Sequence, residues 1–108
     1  MLIDEARLQK ALTYLATTDE PAAGLRADVE RAEFKAKAVK DAVFLTCEGS
    51  VAERNAIAGT NKEYKNAMND YFEALRVSDS MRNKRATETI VIDTWRSLNS
   101  GRNKGNII

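Results

Sequence analysis

The fold is decided by residues 25–47, LRADVERAEFKAKAVKDAVFLTC. Small and apolar side chains recur there every three or four residues, and they are Leu25, Val29, Ala32, Ala36, Val39, Val43 and Cys47. A seven-residue repeat of this kind is typical of a helix that packs along its length on other helices. The stretch therefore predicts an all-α protein, although it does not by itself indicate a function.

Capping residues and helix breakers around this stretch predict where the first helices begin and end. Asp4 can cap a short N-terminal helix over residues 5–16. We expect that helix to end before Pro21, because proline has no amide hydrogen to donate and suits the first turn of a new helix. The repeat then lies in a second helix over residues 22–48, which Gly49 ends.

Two capping boxes follow the second helix. Ser50 and Thr60 are each followed three residues later by a glutamate, a spacing that marks a helix N-terminus. They predict a short helix over residues 51–58 and a long third helix over residues 61–99. Gly59 between them is expected to be a turn or a kink.

A short connection between long helices favours an antiparallel arrangement. We therefore predict a coiled-coil-like hairpin of long helices, with the short N-terminal helix packed on it and the short helix in the connection. Residues 1–100 form a single helical domain in this interpretation, and residues 101–108 form a flexible basic tail. Apolar side chains off the main seam also predict self-association, as a dimer or a larger oligomer, and they are Phe34, Phe44, Leu45, Val91 and Trp95.

The composition excludes most catalytic and metal chemistry. The chain has no histidine, and Cys47 is its single cysteine, which we interpret as a small core residue. No phosphate-binding loop, nucleophile elbow or metal motif occurs. We therefore expect no enzyme, no cofactor, no metal and no small-molecule substrate. The sequence also lacks a signal peptide and a membrane-spanning apolar run, which predicts a cytoplasmic protein without membrane contact.

Charge is distributed unevenly along the chain. Residues 1–80 carry 11 Lys and Arg against 14 Asp and Glu, whereas residues 81–108 carry six against two. Helical spacing allows a stripe of Arg82, Arg85 and Arg96, and the tail adds Arg102 and Lys104. Such a stripe can bind the phosphates of nucleic acid. It can equally be a solvated or partner-facing surface.

Three stretches carry a resemblance to a known group of proteins. They are VAER at residues 51–54, RNKRAT at 82–87 and IDTWRSLN at 92–99. In these stretches the chain resembles small, poorly characterised helical proteins of tailed bacteriophages and prophages. The resemblance spans about residues 40–105 and implies a context among phage recombination and replication functions, in the cytoplasm of the host cell. It assigns no catalytic or binding residue.

Two function hypotheses follow. The first is a non-enzymatic phage accessory protein of recombination or replication that binds DNA or a DNA-bound protein through the basic end. The second is a protein-binding module that inhibits or adapts a host protein. An oligomeric scaffold component is a further alternative.

Overall fold

The computed structural model of the chain describes the backbone of residues 3–107 and the side chains of residues 3–101. It contains three α-helices, which are α1 (Glu5–Thr46), α2 (Val51–Thr60) and α3 (Lys62–Ile107). No strand occurs in residues 3–107. The predicted all-α class, with two long helices and a short helix in the connection, is confirmed. Within the same range, no helix has the length and apolar character that a bilayer crossing requires.

The chain divides into two compact units. The terminal unit combines residues up to 22 with residues from 80 onward, and the central unit is Ala23–Asp79. In the terminal unit, Arg7 contacts Glu88 and Tyr14 contacts Met81. Tyr14 follows Arg7 along α1, whereas its partner Met81 precedes Glu88 along α3. This reversed order is the one found in antiparallel helices.

The predicted short N-terminal helix is wrong, because α1 continues through Pro21 as one helix of 42 residues. A proline inside a helix costs about 3 kcal/mol through a lost hydrogen bond and a steric clash. The seven-residue repeat, however, extends backward across the proline without a change of phase. Its earlier members are all buried or half-buried, and they are Leu8, Ala11, Leu15, Thr18 and Ala22. Burial of this continuous seam offsets the cost of the proline.

The start of α1 and the connection after it follow the predicted capping. The amide of Arg7 donates to Asp4 Oδ1 at 2.8 Å, which caps α1. Beyond the end of α1, Gly49 has a φ of 116°, a conformation that glycine adopts without strain. Ser50 Oγ accepts a hydrogen bond from the amide of Glu53 at 3.2 Å and so caps α2.

The start of α3 differs from the prediction, because Asn61 rather than Thr60 caps it. The amide of Tyr64 donates to Asn61 Oδ1 at 3.1 Å. Thr60 is still the last residue of α2, and its hydroxyl donates to the carbonyl of Ala56 at 2.9 Å. Gly59 lies inside α2, so the break between the helices falls at Asn61, whose extended backbone suits an N-cap.

The end of α3 is also later than expected. The helix continues past Asn99 and through Gly101 to Ile107, so the predicted helix end at Asn99 is wrong. Each of the two glycines in this segment, Gly101 and Gly105, weakens a helix by only about 1 kcal/mol relative to alanine, which a long helix tolerates. The flexibility of residues 101–108 and the single domain over residues 1–100 stay predictions.

Small side chains form most of the core. Among the described residues, the buried apolar ones are Ile3, Ala11, Ala22, Ala36, Ala58 and Ala67. Every member of the predicted seam in residues 25–47 is buried or half-buried, which confirms the repeat as the packing face of α1. Alanine at these positions permits close approach between helix backbones.

Candidate nucleic-acid interface

Arg85 is turned toward α1 within the terminal unit. Its Nη1 donates to the carbonyl of Leu15 at 2.9 Å and to Thr18 Oγ1 at 2.6 Å. Its Nη2 lies 3.4 Å from a carboxylate oxygen of Asp19. The side chain is 23% exposed. The predicted stripe of three arginines therefore does not form, because its middle member is engaged by the opposite helix.

The other two members of the expected stripe remain on the surface of α3. Arg82 and Arg96 are both exposed. They are 14 residues apart in the helix, which places them about 21 Å apart along the axis and about 40° apart around it. We call these two residues the basic flank. Arg102 and Lys104, the remaining predicted contact residues, have side chains outside the described part of the structure.

Arg96 lies in a shallow surface depression of α3, lined by Asp93, Arg96, Ser97, Ser100 and Gly101. The guanidinium and the two serine hydroxyls are hydrogen-bond donors of the kind that phosphate oxygens accept. Asp93 opposes an anion there, with its carboxylate 3.8 Å from Arg96 Nη1. An exposed pair at this distance is weak, so the guanidinium can exchange Asp93 for a phosphate.

A second arginine of the terminal unit forms an ion pair that sequence reasoning missed. Arg7 Nη2 donates to Glu88 Oε1 at 2.9 Å, and Arg7 Nη1 lies 2.7 Å from Glu88 Oε2. The hydrogen bond to Glu88 raises the pKa of Arg7 above its usual value. The partners are 81 residues apart in sequence, and no local spacing relates them. Arg7 and Arg85 thus both join α1 to α3 within this unit.

The described residues offer little for catalysis or metal binding. Among residues 3–101, no three Cys, Asp or Glu side chains form a group that could hold a metal ion. Cys47 is a half-buried free thiol at the end of the seam. On the surface of the central unit, hydrogen bonds from Arg76 lower the pKa of Glu73. That pair lies three residues apart on α3 and is typical of helix surfaces.

Comparison with known proteins gives no relative: no family model, no curated protein and no solved structure matches the chain.

Proposed function

We propose that the protein is a non-enzymatic accessory protein that binds nucleic acid through the basic flank. The observation that carries the proposal is the exposure of Arg82 and Arg96 on one flank of a segment rich in cations. Residues 81–108 hold six Lys and Arg against two Asp and Glu. On the resemblance to small phage proteins alone, we also propose a role beside recombination or replication proteins in a host cell.

Two exposed guanidinium groups can each neutralise a phosphate and release a counterion. The serine hydroxyls around Arg96 can donate to the same phosphate. These contacts read the backbone rather than the bases, so we expect binding with little sequence preference. Binding to duplex DNA should weaken as the salt concentration rises.

The test is fluorescence anisotropy with labelled single-stranded and duplex oligonucleotides over a salt series. The variant combines Arg82→Gln and Arg96→Gln. The slope of log K, the association constant, against log salt is negative, and each lost duplex contact should bring it closer to zero by about 0.9, or roughly two units for the double variant. Arg85 is left intact because it contacts α1.

The matched control combines Arg31→Gln and Arg76→Gln. Both arginines are exposed, and both pair with an acid three residues away on their own helix, as Arg96 does. The control should bind as the unaltered protein does. Absence of binding at low salt, or an equal loss of slope in both double variants, would refute the proposal.

A protein-binding module is the second candidate, favoured by large apolar side chains on the surface of the central unit. The most exposed of these are Phe34 and Leu45 on α1. Capture of a stoichiometric host protein after nuclease treatment would support this candidate, provided that Phe34→Ser abolishes the capture.

A further inference from the structure

The outer face of α1 carries an apolar line that no part of the described chain covers fully. Phe34 and Leu45 are 76% and 75% exposed. They are eleven residues apart, which is three turns plus about 20°, so they share one line along the helix. Ala38, also exposed, lies on that line between them. We call Phe34, Ala38 and Leu45 the outer face.

The outer face lies on the side of α1 opposite the seam. Ala36 and Val43 belong to the seam, and each lies about 160–180° around the helix from Phe34. Ala36 is 2% exposed. One side of the helix therefore already packs within the central unit, while the opposite side presents a phenylalanine and a leucine to solvent. A second copy that pairs with this side of the helix would remove both large side chains from water.

We infer that a second copy of the chain covers this face, with the two α1 helices antiparallel. If Phe34 faces the partner's Leu45, the two-fold axis passes between the levels of Val39 and Lys40. Leu45 then faces the partner's Phe34, so a single surface satisfies both copies. Ala38 lies near the axis, where its small side chain allows the two helices to approach closely.

Charges beside the outer face favour the same register. Lys37 and Asp41 flank the line on one side, and the two-fold axis brings Lys37 close to the level of the partner's Asp41. The pair occurs twice in the dimer. The Lys37 side chain is 73% exposed, and its ion pair with Glu33 at 3.4 Å is weak, so Lys37 can exchange that partner for Asp41 of the second copy. In a parallel dimer the two copies of this flank would lie on opposite sides of the interface, so the Lys37–Asp41 pairs could not form.

The size of the face predicts a weak dimer. Two phenylalanines and two leucines that are three-quarters exposed offer roughly 600 Å² of apolar surface, below the ~1,200 Å² of standard stable interfaces. We expect association that depends on concentration, with a Kd on the order of micromolar or weaker.

The test is analytical ultracentrifugation of the full chain over a wide concentration range. Phe34→Ser should raise the Kd of dimerisation about tenfold or more, because the aromatic contact is lost in both copies at once. Phe72→Ser is the matched control, since Phe72 is 55% exposed in the same unit but lies on α3. It should leave the Kd unchanged. Circular dichroism checks that both variants are folded.

A charge exchange tests the register. Lys37→Glu alone and Asp41→Lys alone should each weaken the dimer, and the two together should restore it. A monomer at every concentration would overturn the inference. So would equal effects of Phe34→Ser and Phe72→Ser, the absence of rescue in the exchanged pair, or a different protein that occupies the face while the pure chain stays monomeric.

Discussion

Arg85→Gln is the substitution that most directly tests how the terminal unit is held together. The guanidinium of Arg85 donates to the carbonyl of Leu15 and to the hydroxyl of Thr18, at 2.9 and 2.6 Å. Glutamine has a shorter side chain without charge, and it cannot reproduce both contacts. The substitution therefore removes a link between α3 and α1 that lies one turn before Pro21.

The expected loss follows from the groups that remain. A hydrogen bond from a charged donor contributes about 1.5–3 kcal/mol net. Neither acceptor becomes unpaired, because Leu15 lies inside α1 and the Thr18 hydroxyl still donates to the carbonyl of Tyr14 at 2.6 Å. The carboxylate of Asp19 is 82% exposed, so its ion pair adds little. We expect Arg85→Gln to lower the free energy of unfolding by about 2 kcal/mol, which is roughly 10 °C in Tm for a chain of this size.

Urea and thermal denaturation followed by circular dichroism measure this loss. The control is Arg96→Gln, because Arg96 is 75% exposed and lies 3.8 Å from its acidic neighbour. It should change stability by less than about 0.5 kcal/mol. Equal stability of the two variants would show that the contacts of Arg85 with α1 contribute nothing.

The same variant separates packing from nucleic-acid binding. Because Arg85 is engaged by α1, the salt slope of DNA binding by folded Arg85→Gln should equal that of the unaltered protein. A slope that comes closer to zero by about 0.9 would show that Arg85 contacts phosphate in the complex. The contacts between Arg85 and α1 would then have to break on binding.

Three further substitutions test the fold by denaturation. Pro21→Ala should raise the free energy of unfolding by about 1–3 kcal/mol, because it restores a helical hydrogen bond and removes a clash inside α1; an unchanged or lower value would contradict this. Ala11→Leu should lower the free energy of unfolding by about 1–3 kcal/mol through overpacking, since Ala11 is fully buried. Its control, Ala6→Leu at an exposed position, should have little effect. Arg54→Lys should lower the free energy of unfolding by about 1 kcal/mol, because lysine cannot both stack on the ring of Phe44 and donate twice to its carbonyl; a neutral result would show that a point charge suffices there.

Local signals predicted the parts of the fold that depend on near neighbours. The seven-residue repeat identified the buried side of α1, and the Ser50 capping box identified the start of α2. The predicted helix end before Pro21 is wrong because a proline disfavours a helix locally, whereas the buried repeat continues on both sides of the proline. Leu15 and Thr18 continue the repeat toward the N-terminus with alternating spacings of three and four residues. A continuous seam outweighs the cost of one proline because packing contributes most of the stability of a long helix.

The candidate interface was only partly predictable for a different reason. The excess of cations in the last quarter of the chain is visible in the sequence, but the side that each cation faces depends on the opposite helix. The sequence position of Arg85 does indicate that its side chain is partly buried. It lies seven residues after Ser78 and seven before Ile92, and all three are half-buried members of one seam of α3. The identity of its acceptors, about 70 residues away, is not encoded in any local spacing.

The ion pair between Arg7 and Glu88 in the terminal unit suggests a role in register. A seam with a seven-residue repeat accepts several alignments, because a shift by one repeat again places seam positions opposite seam positions. Arg7 and Glu88 form their two contacts in one alignment only, at 2.9 and 2.7 Å. A shift of α3 by one repeat would leave the partly buried Glu88 carboxylate without its cation, which is unfavourable.

We therefore expect the double variant Arg7→Leu and Glu88→Leu to keep its helix content but to populate more than one alignment of α1 and α3. In an NMR spectrum, single residues of these helices should then give several backbone amide resonances. One sharp resonance per residue would show that packing of the seam alone selects the register.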